Sequence, residues 1–329
     1  MMKLIVFGAG EMGRYAGQLL KHDGHEVLCF IDNDPGKWNT TIDGIPIINF
    51  EQYKKITEPH TLILALNEHN RKQVVKQLEC CENKSYKTFD EKQFWGRERL
   101  FSYSYLKDME DVILYDVLYN EKEIFYIDIG SNDPVEGSVT KLLYDVKNAH
   151  GINVEPQKRL IELTNRERPR DINLQFGVGD KKERKKLFLQ DAQSTLVSDN
   201  VTREGCLTEI IDIITLEQIC NDYLPANQKI SFLKIDVEGY EKEVLLGGDF
   251  KKYRPEIILI ESTKPDTLNY NFENWESILF QNHYHFVYEH GVNRYYVADE
   301  KRELDGRFLD IEVLKHIYQI YHVSFEVIK

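Results

Sequence analysis

The sequence predicts an α/β protein built on two mostly parallel sheets, and three observations carry that reading. First, short runs of branched apolar residues recur along the chain and are closed by a glycine or a carboxylate, as in Lys3-Leu-Ile-Val-Phe-Gly8 and Phe125-Tyr-Ile-Asp-Ile-Gly130. Continuous apolar runs of this kind suit strands buried on both faces, and such sheets are parallel. Second, stretches of helical periodicity separate the runs, as crossovers between parallel strands require. Third, the 329 residues are long enough for two domains, and their 42% hydrophobic and 29% charged content is ordinary for a soluble globular chain.

The first strand runs into Gly8-x-Gly10-x-x-Gly13, followed by a helical stretch at 14–20 and a second strand, 26–31, that ends at Asp32. Dinucleotide binding demands this order. The glycines admit a pyrophosphate to a helix N-terminus, and an acid about 20 positions on accepts a ribose hydroxyl. Gly8, Gly10, Gly13 and Asp32 therefore form a candidate nucleotide or NAD(P) site. The same glycines also serve as plain packing turns, so a scaffold role stays open. A further buried strand at 61–66 and a helix at 71–81 complete a small Rossmann-like domain over 1–90. These stretches resemble the N-terminal domain of PglD-type sugar acetyltransferases. Residues 91–122 read as a helical connector rich in charge and aromatics, Phe94, Trp95, Tyr103 and Tyr105 among them. Met109, Val112, Ile113 and Val117 recur there at helical spacing, which predicts a helix packed on the edge of the second domain.

The second domain, 123–329, repeats the strand-and-crossover pattern with acids at the strand ends: Asp128, Glu155, Asp180, then Asp236 and Glu238, then Glu261. The third of these strands is read as one element, 171–180. Helices are expected at 160–166, 240–246 and 275–281, and an antiparallel hairpin closes the domain at 285–297. In an open α/β sheet, ligands sit beyond the carboxyl ends of the strands. Two acidic strand ends side by side, Asp128 and Glu155, describe a pocket for a nucleoside with free ribose hydroxyls. Five βα units closed by an antiparallel pair is the layout of class I methyltransferases that use S-adenosyl-L-methionine (SAM), an analogy at the level of fold.

Ordered motifs sharpen that analogy. Asp128-Ile-Gly-Ser-Asn-Asp-Pro134, Gly151-Ile-Asn-Val-Glu-Pro156, Arg168-Pro-Arg170, Ser194-Thr-Leu196, Leu233-Lys-Ile-Asp-Val-Glu-Gly239 and Val292-Asn-Arg-Tyr-Tyr-Val297 resemble the FkbM family of SAM-dependent methyltransferases over residues 100–300. The resemblance implies O-methylation of a hydroxyl on a sugar, nucleotide-sugar or bacterial surface glycan such as capsule or lipopolysaccharide. It also implies that Asp128, Gly130, Ser131 and Asn132 surround the methionine part of SAM, that Glu155 holds the ribose, and that Val178 and Asp180 border the adenine. Ser131 stands where the family usually has alanine, and Tyr240 where it often has histidine. With that histidine absent, acid–base work falls to Asp236, Glu238 and Glu261.

Methyl transfer to oxygen needs an aligned hydroxyl, a dry site and one proton acceptor. A carboxylate pair at the fourth strand end supplies the acceptor, and the same acids have the chemistry to hold a divalent metal that positions vicinal hydroxyls. The rival readings are an NAD(P)-dependent sugar oxidoreductase working from the first domain, and a non-catalytic cofactor-binding subunit of a glycan pathway. A net charge of −13 excludes a general nucleic-acid binder. No apolar run reaches membrane-spanning length. Five cysteines without metal-ligand spacing, and no signal peptide, predict a cytoplasmic protein. The sequence leaves a homo-oligomer open.

Overall fold

The structure is a computed structural model that describes residues 2–81, 85–90, 98–105, 107–190, 194–201, 205–264 and 269–323. Phe94 and Trp95, two of the connector aromatics, lie outside the described residues. The chain divides into two compact units, Met1–Arg99 with Leu309–Gln319 and Leu100–Phe308 with Ile320–Lys329.

The first unit opens with β1 (Lys3–Phe7), α1 (Glu11–His22) and β2 (Glu26–Ile31). It continues with β3 (Thr41–Ile42), β4 (Ile45–Ile48), α2 (Phe50–Tyr53), β5 (Thr61–Leu64), α3 (Glu68–Leu78) and β6 (Tyr86–Thr88). The sheet order is β3-β4-β2-β1-β5-β6, parallel throughout except for the β3–β4 pair. Ile5, Phe7, Cys29, Ile31, Phe50 and Leu64 share its core. Packing explains two of the three glycines: a Cβ on Gly13 would lie 1.8 Å from the Gly8 carbonyl oxygen and one on Gly8 2.5 Å from the Ala65 carbonyl oxygen, whereas Gly10 has open space around it.

The second unit follows from β7 (Glu98–Ser102), which straddles the division, through α4 (Glu110–Val117), β8 (Phe125–Ile129), α5 (Lys141–Val146) and β9 (His150–Val154). Next come α6 (Lys158–Glu167), β10 (Ile172–Leu174), β11 (Gly177–Gly179), β12 (Glu183–Phe188), β13 (Thr208–Thr215) and α7 (Leu216–Tyr223). The run ends with β14 (Phe232–Ile235), α8 (Glu241–Leu246), β15 (Ile257–Glu261), α9 (Glu276–Gln281), β16 (Tyr284–His290) and β17 (Asn293–Ala298). Seven strands make the central sheet in the order β10-β9-β8-β14-β15-β17-β16. The first five are mutually parallel, and the closing hairpin is antiparallel. Every residue of β8 and β14 is buried, as expected of central strands covered on both faces.

Two elements differ from the sequence reading. Residues 171–180 do not form one strand: the chain breaks at Gln175-Phe176, and β11 leaves the central sheet to pair with β13 in a second sheet ordered β11-β13-β12. Glycine makes the switch feasible, because a Cβ on Gly177 would sit 2.4 Å from the Ile213 side chain. The helix α4 is shorter than its apolar pattern and is buried on all sides, acids included. Asp111 accepts hydrogen bonds from the Ser102 and Ser104 hydroxyls and from the Tyr103 amide, which offsets the cost of burying it.

Candidate functional site

The site forms where β8 and β14, neighbours in the sheet, come to their carboxyl ends. Gly130 follows β8 with φ +74°, and a Cβ there would lie 1.8 Å from the Asp236 carbonyl oxygen. The two strand ends touch through that hydrogen atom, so no other residue fits. Behind them, the buried Lys234 acts as a clasp. Its Nζ donates to the Gly130 carbonyl at 2.8 Å and pairs with Asp128 Oδ1 at 3.4 Å and Asp236 Oδ2 at 3.3 Å. Burial opposes the charge on Lys234, and Asp128 and Asp236 more than offset it, holding the ammonium well above its ordinary value.

In front of the clasp lies an open cleft of about 610 Å³, lined by Gly130, Asn132, Glu155, Phe176, Val178, Leu187, Leu196, Asp236 and Glu238 among others. Glu155, 4% exposed at the end of β9, accepts from the Asn132 amide at 3.1 Å and the Gln157 amide at 2.8 Å. Burial raises its pKa to about 7 despite those bonds and Lys234. Phe176, Val178, Leu187 and Leu196 give one wall an apolar face. The ends of β14 and β15 add acids. One carboxylate oxygen each of Asp236, Glu238 and Glu261 lies within 4.8 Å of the others, a spacing that admits a divalent cation. Glu261 Oε2 is shut off from solvent and takes no hydrogen bond. Its proton is held well above the usual carboxylate range, first by burial and then by Asp236, Glu238 and Glu241.

Glu238 adopts a left-handed backbone, φ +54°, which costs a side-chain-bearing residue about 1 kcal/mol. Its carbonyl is fixed by Thr195 Oγ1 at 2.8 Å and Asn200 Nδ2 at 2.9 Å, so residues 194–200 hold the acidic wall in place.

Of the residues expected from the sequence, Gly130, Asn132, Glu155, Val178, Asp236 and Glu238 line one cleft, and Glu261 adjoins it. Asp128 sits a layer behind, turned to Lys234 and to Thr140 Oγ1. Ser131 is buried with its hydroxyl unpartnered, and Asp180 is exposed outside the lining. Sequence reasoning missed Phe176, Leu187 and the role of Arg168. That buried guanidinium donates to Pro134 O at 3.2 Å, Ser138 Oγ at 3.3 Å and Thr140 Oγ1 at 2.9 Å, anchoring the loop after β8. The motif Arg168-Pro-Arg170 was its only signal.

In the first unit, Gly8, Gly10, Gly13 and Asp32 line a separate open cleft of about 870 Å³. Asp32 already accepts from the Ala9 amide at 2.8 Å and the Asp34 amide at 2.9 Å, and pairs with Lys37 at 3.1 Å. Among the described residues, no helix is long and apolar enough to cross a membrane.

Residues 128–288 match the family model described as the methyltransferase FkbM domain, and residues 1–89 match a model described as C2185-like, N-terminal. The likeness of the first domain to PglD-type enzymes gains no support from these matches. Comparison with curated proteins gave no match. A solved structure, described as methyltransferase FkbM from Methylobacillus flagellatus KT at 2.20 Å resolution, is similar over 90% of each chain with 13% identity and a TM-score of 0.37. At that distance it carries no argument about the site.

Proposed function

We propose that the FkbM methyltransferase domain at 128–288 transfers a methyl group from SAM to a sugar hydroxyl, in a surface glycan or its precursor assembled in the cytoplasm. The carrying observation is the cleft itself, with a buried carboxylate, Glu155, on one side and a cluster of acids at the ends of β14 and β15 on the other. The residues present fit SAM. Phe176, Val178, Leu187 and Leu196 offer apolar surface to a flat base, Glu155 suits two ribose hydroxyls, and the tight turn at Gly130 and Asn132 leaves room for the amino-acid end. When bound, SAM supplies a sulfonium methyl open to in-line displacement.

The chain's own residues do the rest. Glu155 orients the nucleoside by accepting its hydroxyls. Asp236, half-exposed and paired with Lys234, takes the proton of the acceptor hydroxyl. Lys234 keeps the two strand ends at a fixed spacing, which sets donor against acceptor. Glu238 and Glu261 bind further donors of the acceptor. For the first unit, the bonds that Asp32 makes to the Ala9 amide in the glycine turn and to Asp34 and Lys37 in its own loop favour a scaffold role over a dinucleotide site.

Calorimetric titration of the full-length protein with SAM and S-adenosylhomocysteine, and with NADH as comparator, tests the reading. Micromolar binding of the first two, weakened at least tenfold by Glu155→Gln, is expected. Binding of NADH with none of SAM would overturn the proposal and shift attention to Gly8, Gly10 and Gly13.

A further inference from the structure

We propose that the outer face of β12 and β13 is a docking surface for an anionic phospholipid bilayer, on which the protein rests without crossing it. The inference stands apart from the methyl-transfer reading.

Two independent features meet on this face. The first is charge. Residues 181–186 read Lys-Lys-Glu-Arg-Lys-Lys, five cations in six positions of a chain whose net charge is −13. Arg184 and Lys186 are exposed on the outer side, opposite Asp212 and Ile210 of the antiparallel partner strand. Lys185 is turned to Tyr240 instead, its Nζ 2.9 Å from that hydroxyl. Lys181 meets Glu183 at 3.8 Å and Arg184 meets Asp212 at 3.3 Å, surface pairs of the weak kind. Among the described residues, Lys182 and Lys186 pair with no acid.

The second feature is apolar. Leu207 is 76% exposed and Ile210 57%, the two most exposed large apolar side chains among the described residues. Strand alternation throws Ile210 outward, because Ile211 and Ile213 take the inward positions and fill a small core with Leu187. Both exposed residues sit beside the cations: Ile210 lies opposite Lys186, and the Leu207 carbonyl accepts from the Leu189 amide at 2.9 Å, just beyond β12.

Each simpler account covers only one feature. Lysines on an edge strand such as β12 keep copies of a chain from pairing edge to edge, but polar neighbours would serve that purpose better than Leu207 and Ile210. A soluble polyanion meets the cations and gains nothing from the two aliphatic side chains. A bilayer with anionic headgroups uses both, since lysine and arginine settle among the phosphates while leucine and isoleucine enter the interface beneath them. Asp212 on this face and the exposed Glu209 beside it limit the attraction, so docking is reversible. On the inner side of β12, Leu187 lines the cofactor cleft, so a docked protein holds that cleft one strand away from the lipid.

The test is co-sedimentation of the full-length protein with vesicles of phosphatidylcholine alone, and of phosphatidylcholine with roughly one-third phosphatidylglycerol. Binding to the anionic vesicles should be at least about tenfold tighter than to the neutral ones at ~0.1 M salt, and the excess should fade at ~0.5 M. Lys182→Glu with Lys186→Glu should remove the excess. Leu207→Ser with Ile210→Ser should weaken binding to anionic vesicles about tenfold at ~0.1 M salt. All four side chains are exposed, so both variants should melt with the wild-type protein. No sedimentation with anionic vesicles, equal binding to both vesicle types, or wild-type binding by the charge-reversed variant would overturn the inference. So would wild-type binding by the apolar variant, a result that assigns the strip to soluble polyanions instead.

Discussion

Cofactor affinity should depend on pH through Glu155. Burial raises this carboxyl to about 7, against two amide hydrogen bonds and Lys234 that act to lower it. A ribose that donates two hydroxyls favours the ionised form, so binding pulls the constant down and releases a proton. The sign follows: affinity rises with pH until the free protein is already ionised. With a constant near 7, roughly 10% of the free sites are ionised at pH 6 and roughly 90% at pH 8, so the apparent Kd for S-adenosylhomocysteine should fall about tenfold across that interval. At pH 7 about half a proton should be released per ligand bound. Calorimetry in two buffers of different ionisation enthalpy reads both quantities. The Glu155→Gln variant should bind more weakly and without this slope. A wild-type Kd that does not change between pH 6 and pH 8, or an equal slope in the variant, would refute the placement of the ribose on Glu155.

Other perturbations reach the same strand ends from different sides. Gly130→Ala forces a methyl into the Asp236 carbonyl at φ +74°, and should cost at least about 2 kcal/mol in urea unfolding and remove S-adenosylhomocysteine binding. Lys234→Met leaves the buried Asp128 without its cation and should destabilise by about 3–5 kcal/mol; a loss below about 1 kcal/mol would deny the clasp. Glu110, buried beside Asp108 and bonded by Asn293 Nδ2 at 2.8 Å, is raised to about 8 by burial first and by its acidic neighbours second. The native state thus holds this proton more tightly than the unfolded chain, so stability is fully present below the ordinary carboxylate range and is lost as pH climbs to about 8. Glu110→Gln keeps the Asn293 bond and removes the titration. Thermal melts from pH 5 to pH 8 should show the variant with a flatter profile, gaining about 3–4 kcal/mol relative to wild type across that interval.

What the sequence disclosed follows from the range of each interaction. Strand ends were legible because a buried strand is a local pattern: a short, mostly apolar run closed by Gly130 in one case and by Glu155 in the other places both without knowledge of any partner. The order β10-β9-β8-β14-β15 then brought Glu155, Asp236 and Glu261 to one edge. The apolar lining was legible only at Val178 and in the motif that holds Leu196. Phe176, Leu187 and Leu196 reach the cleft only because β11 leaves the central sheet, and β13, the strand it joins, lies more than 30 residues later. Asp180 fits the strand-end rule and still lies exposed, because its strand belongs to that second sheet.

Lys234 shows the same limit from the other side. A lysine within an apolar strand reads locally as a break in the pattern, and its reason for being there, the Gly130 carbonyl, is 104 positions away. The clasp also explains why the motif Leu233-Lys-Ile-Asp-Val-Glu-Gly239 behaves as a unit. Lys234 fixes the strand end, Asp236 gives Gly130 no room for a side chain, and the left-handed turn at Glu238 and Gly239 aims the acidic wall into the cleft. Lys234 holds the Gly130 turn, so Gly130→Ala and Lys234→Met should each lose cofactor binding and stability together rather than separately.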